Sequence, residues 1–116
     1  MLFCARPCKD ELHAYWDGLL GDTPSMNDIN AAGARLLRRK KPAQADVADP
    51  SQWVNESFAL AESKVYVAPI SDDNDPAQTI SPRPDAAYDM SAHAVANSQV
   101  LLAGYRLANL LNTHLK

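Results

Sequence analysis

Apolar residues recur three and four positions apart along most of this chain, and no useful stretch alternates apolar with polar. That spacing marks one face of an α-helix rather than of a strand. Leu12, Trp16, Leu19 and Leu20 form the first stripe, with Asp10 placed to cap the helix and Gly21 placed to stop it. Gly21-Asp22-Thr23-Pro24 reads as a turn. Ser25, followed three residues later by Asp28, resembles a capping box with a shortened acid. It opens a second helix whose inner face is Met26, Ile29, Gly33, Leu36 and Leu37. A third begins at Pro50 or Ser51 and sets Trp53, Ser57, Leu60 and Ala61 on one side, with Val54, Phe58 and Val65 adjoining.

The last predicted helix is the longest, running from about Asp89 or Met90 to His114. Ala94, Val100, Leu101, Ala103, Leu107, Ala108, Leu110 and Leu111 give it a broad apolar face. Gly104 inside it costs roughly 1 kcal/mol relative to alanine, which close approach of a neighbouring element would explain. Between helices, residues 42–50 form a loop, and Val65-Tyr66-Val67 has room to extend briefly before Pro69. The segment from Ser71 to Pro84 reads as an exposed loop. Its Asp72-Asp73-Asn74-Asp75 cluster lacks the glycine and distal glutamate of a calcium loop, so solvation is its expected role. Asn55-Glu56-Ser57 fits a glycosylation sequon but falls mid-helix. The predicted fold is all-α, four helices in one domain.

Composition narrows the functional classes. A net charge of −3 supplies no broad basic surface for nucleic acid. The run Arg38-Arg39-Lys40-Lys41 before Pro42 reads first as a solvated helix end favoured by the macrodipole. No apolar run approaches the roughly 20 residues that cross a bilayer. The first eight residues, from Met1 to Cys8, lack the basic start and long apolar stretch of an export signal, so any such signal is expected upstream. The two cysteines, Cys4 and Cys8, suit either a tight disulfide in an oxidising compartment or two separate thiols.

The chemistry concentrates in Leu12-His13-Ala14-Tyr15-Trp16-Asp17-Gly18-Leu19-Leu20. His13 and Asp17 stand four residues apart, hence on one helical face within reach of a shared partner. A neutral imidazole and a carboxylate are both zinc ligands, and two on one turn make half of a tetrahedral site. The plainer alternative is a surface hydrogen bond between them. His93 is a candidate third ligand, and His114 suits the exposed carbonyls of a helix end. No glycine-rich phosphate loop or nucleophile motif is present.

Three blocks of this chain resemble one family in order. Leu12 to Leu20 is similar to the "NLHxxWD" segment of the zinc-dependent, single-strand-specific nucleases of the S-one/P-one family. Trp53-Val54-Asn55-Glu56-Ser57 is similar to that family's "W…ES" helix, and Ala103 to Asn112 to its "AGxRLAxLLN" helix, with Tyr88 ahead of it. The resemblance implies a helical assembly related to zinc phospholipase C, here its carboxy-terminal part over residues 1–116. It implies three zinc ions in the complete enzyme, with His13 and Asp17 as two ligands of one. It further implies hydrolysis of single-stranded DNA and RNA, with removal of 3′-phosphates from nucleotides, by a secreted or periplasmic enzyme that is monomeric and off the membrane. The remaining ligands have no counterpart in these residues, so this polypeptide alone is expected to be inactive, with exposed apolar patches at Trp53 and the last helix. A helical interaction module without catalysis, and a zinc phosphatase or phospholipase of the same fold, are the alternative readings.

Overall fold

The computed structural model describes residues 2–4, 10–21, 25–70 and 80–115. Among these the chain is all-α and has no strand, only an isolated bridge between Leu2 and Glu11. Four helices follow in order: α1 Leu12–Asp17, α2 Met26–Leu37, α3 Pro50–Leu60 and α4 Ala86–His114. The Asp72–Asp75 cluster, Cys8 and residues 22–24 of the predicted turn lie outside the described residues.

The first helix is shorter than its stripe suggests. After Asp17 it tightens into a 3₁₀ turn, Gly18–Leu20, and stops at Gly21, whose φ of 101° suits glycine alone. Asp10 does not cap it. Its carboxylate pairs with Arg83, and its carbonyl accepts the Phe3 N–H at 2.9 Å. Glu11 takes the cap position without a side-chain bond.

Elsewhere the capping chemistry is as the residues suggest. Ser25 and Asp28 form a reciprocal capping box, which holds the Asp28 carboxyl below the usual carboxylate range through its bonds from Ser25. Asp49 accepts the Ser51 N–H at 2.9 Å and Pro50 opens α3. Helix α3 does not give way to an extended segment at Val65. It continues as one wider π turn, Ala61–Val65. The 42–50 loop contains its own 3₁₀ turn, Ala43–Asp46. Helix α4 starts at Ala86, ahead of the expected start, because Asp85 accepts the Tyr88 N–H at 2.8 Å.

The core lies where α1 crosses the first half of α4. Phe3, Leu12, Leu19, Ile70, Tyr88 and Ala92 are buried together, and Trp16, Val65 and Val67 pack against them. Farther along α4, Leu101 and Leu102 are buried, as is Ala45 of the 3₁₀ turn. There Asn109 donates to the Ala45 carbonyl at 3.1 Å, and Arg106 bridges Glu56 at 2.6 Å and the Gln44 carbonyl at 3.1 Å. The Arg106 guanidinium also sits 5.0 Å from the centre of the Trp53 ring. This set binds α3 to α4.

Much of the apolar face expected of α4 is not covered. Leu107, Leu110 and Leu111 are exposed, as are Val54 and Phe58 on α3, whereas Trp53 is half-buried. The radius of gyration is 16.7 Å, against about 13 Å for a compact domain of this length. Gly104 also departs from expectation, since a Cβ there meets nothing within 4 Å. With no neighbour to clash, only the helix-propensity term remains. Gly104→Ala is therefore expected to raise stability by about 0.5–1 kcal/mol, read as a higher urea midpoint with unchanged slope.

Candidate metal centre

Helix α1 is too short to be stable by itself, so its position comes from what its inner side touches. Leu12 and Leu19 are buried in the core. Between them, Tyr15 donates its hydroxyl to the Asp89 carboxylate at 2.6 Å. Trp16 donates its indole N–H to the Tyr88 hydroxyl at 3.1 Å, and Tyr88 donates to the Val65 carbonyl at 2.8 Å. The three rings meet at angles, with centroids 5.9–6.3 Å apart. Such tilted and edge-on contacts suit aromatic quadrupoles. Two directional bonds and a ring cluster thus fix how α1 is rotated against α4.

That rotation turns His13 and Asp17 outward. Their side chains are 81% and 71% exposed, and Nε2 of His13 lies 3.1 Å from Oδ2 of Asp17. Zinc–nitrogen and zinc–oxygen bonds of about 2.1 Å imply a donor–donor edge of about 3.4 Å in a tetrahedron. The pair is within a few tenths of an ångström of that edge. Donor type and spacing therefore fit zinc, while donor number falls short. Among the described residues no group of three or more histidine, cysteine, aspartate or glutamate side chains gathers.

Among the described residues His93 is not gathered with the pair. Its Nε2 lies 3.5 Å from Oδ2 of Asp89, the residue that Tyr15 holds on the inner side of α1. His93 is thus tied to the side of α1 that faces away from His13 and Asp17. His114 stands in the last turn of α4, where the helix dipole favours a cation.

Nothing in the sequence groups the residues that orient the pair. Tyr15 and Asp89 are 74 positions apart, and only the α1–α4 packing brings them together. The one sequence cue was the adjacent pair of aromatics, Tyr15 and Trp16, on a helix with a polar opposite face.

A helical protein bearing an outward histidine–aspartate pair on a helix locked by aromatics is the class that these observations define. The family model described as S1/P1 Nuclease matches residues 3–116, and the chain belongs to that family. No curated protein and no solved structure matches it. Membership makes the chain part of a nuclease family, and no helix among the described residues is long and apolar enough to cross a membrane.

Burial pushes the Tyr88 hydroxyl above its ordinary pKa, partly opposed by the bond from Trp16. Ionisation would also remove the donor to Val65. The folded state thus favours the neutral phenol, so its contribution is complete below the unfolded pKa of about 10 and is lost as pH rises through the higher folded value. Thermal melts between about pH 9 and pH 11 are expected to fall more steeply for the parent than for Tyr88→Phe.

Proposed function

We propose that the protein carrying this chain is a zinc-dependent nuclease acting on single-stranded DNA and RNA, with 3′-nucleotidase activity, and that His13 and Asp17 are two ligands of one of its zinc ions. The observation that carries this reading is the outward pair at 3.1 Å, near a tetrahedral donor edge, in a chain of the S1/P1 Nuclease family. His13 would bind as the neutral imidazole through Nε2, the nitrogen that faces Asp17, and Asp17 as the carboxylate. Zinc at such a site supplies a Lewis acid for the phosphate and a bound water of lowered pKa. The chain's own contribution is placement: Tyr15 and Trp16 hold the inner side of α1, so both donors project outward, 3.1 Å apart.

Two donors do not retain a catalytic cluster, because zinc sites take three or four. In this reading residues 1–116 are the carboxy-terminal part of a single nuclease domain, the other ligands of its three zincs come from outside them, and this portion alone is inactive. The same reading makes the complete enzyme a monomer that is exported, with Cys4 and Cys8 bridged as an oxidising compartment permits.

Zinc titration by calorimetry of the intact protein tests the ligand assignment. Asp17→Asn and His13→Ala are each expected to weaken zinc binding by at least about tenfold and to reduce cleavage of single-stranded DNA. Unchanged zinc content in both variants would reject the assignment.

A further inference from the structure

Five of the eleven lysines and arginines, Arg35, Arg38, Arg39, Lys40 and Lys41, fall within seven residues of a chain whose net charge is −3. A helix dipole favours cations in the last turn, but its influence fades within that turn. Helix α2 ends at Leu37, so Lys40 and Lys41 lie beyond the dipole's reach. Lys41 has a structural role, bonded to Asp46 at 2.7 Å and lying 5.7 Å from the centre of the Tyr105 ring. Arg35, Arg38, Arg39 and Lys40 are exposed, and among the described residues none of them meets a carboxylate.

Two clefts border this run. One, of about 590 Å³, lies between the turn after α1, helix α2 and helix α4, and is lined by Leu20, Gly21, Arg35, Arg39 and Asn97 among others. The second, of about 540 Å³, lies between the end of α2, α3 and α4, with Arg39, Lys40, Gln44, Ser63, Ser98 and Gln99 on its walls. Arg39 lines both, so they meet at its side chain. Leu20, on the wall of the first cleft, is three residues beyond Asp17 in the sequence, in the turn that directly follows α1.

Among the described residues on these walls, Glu56 is neutralised by Arg106 at 2.6 Å. Asp28 keeps its negative charge, capped by the neutral N–H and hydroxyl of Ser25, and stands against Arg35, Arg39 and Lys40, so the positive charge prevails. Among the described residues neither cleft has an aromatic side chain in its lining. A strand lying there has cations for its phosphates, amides and hydroxyls for its sugar edges, and no platform on which to stack bases.

We propose that the groove running through Arg39 is a phosphate track for single-stranded nucleic acid, in which Arg35, Arg39 and Lys40 contact backbone phosphates of a strand leading away from the His13–Asp17 end of the molecule. The choice of nucleic acid rests on the nuclease reading. Contact through phosphates makes the track indifferent to sequence, and it makes binding depend on salt through counterion release.

The test uses the intact protein in chelator, where no cleavage occurs, and follows the anisotropy of a fluorescent oligothymidylate across a series of potassium chloride concentrations. Each phosphate contact contributes about 0.7 to the slope of log K against log salt for a single strand. Arg39→Gln/Lys40→Gln is therefore expected to reduce the slope by about 1.4, and Arg35→Gln by about 0.7, with melting temperatures unchanged because these side chains are exposed. Slopes equal to the parent's in both variants would overturn the track. So would loss of binding to phosphatidylserine vesicles in these variants with oligonucleotide binding unaltered, which would assign the run to a membrane surface. A parent that shows the expected slopes in chelator yet cleaves no single strand when zinc is restored keeps the track and sinks the nuclease reading, so the two failures are distinct.

Discussion

The hydrogen bonds from Tyr15 to Asp89 and from Trp16 to Tyr88 are the constraint on which the rest of this molecule depends. A six-residue helix has too few internal bonds to hold its own place, and α1 has neither a side-chain cap nor charges that complement its dipole. Apolar burial of Leu12 and Leu19 draws it onto α4 but does not choose its rotation, since the hydrophobic effect is non-directional. The phenol and the indole choose it. One consequence is the core, in which Tyr88 links α1 to the end of the π turn through Val65. The other is the outward face, where the side chains of His13 and Asp17 meet each other at 3.1 Å.

Unequal coverage is the second organising fact. The α1–α4 crossing and the Arg106–Glu56–Trp53 junction are well joined, whereas large parts of α3 and α4 keep exposed leucine, valine and phenylalanine side chains. Arg106 explains how α3 is held despite that exposure. Its guanidinium answers a carboxylate, a carbonyl and an indole ring at once, which fixes a helix pair by direction rather than by buried area.

How legible this was in the residues differs by element. The Ser25–Asp28 box and the Pro50 start were readable because capping is local chemistry, decided within four residues. The apolar stripe places the start of α4 too late, because Asp85 follows a proline-rich stretch and its cap acts ahead of the stripe. Asp10 misled for a different reason, since Arg83, 73 positions away, takes its carboxylate. Periodicity located Leu101 as a buried residue and equally nominated Leu107 and Leu111, which are exposed: a stripe identifies the apolar face but not what lies against it. The His13–Asp17 spacing was visible at once because four residues is one helical turn. Its orientation was not, because Asp89 and Tyr88 come from the far end of the chain. His93 shows the same limit, as a histidine near the start of α4 looks free until Asp89 is placed beside it.

The position of the metal is the decisive quantity. Crystals of the intact protein grown with zinc, with diffraction measured on either side of the zinc absorption edge, would locate it by anomalous scattering. A peak bonded to both Nε2 of His13 and Oδ2 of Asp17, at about 2.0–2.2 Å from each, is the expected result. Zinc found only at other residues, with His13 and Asp17 still bonded to one another, would contradict it.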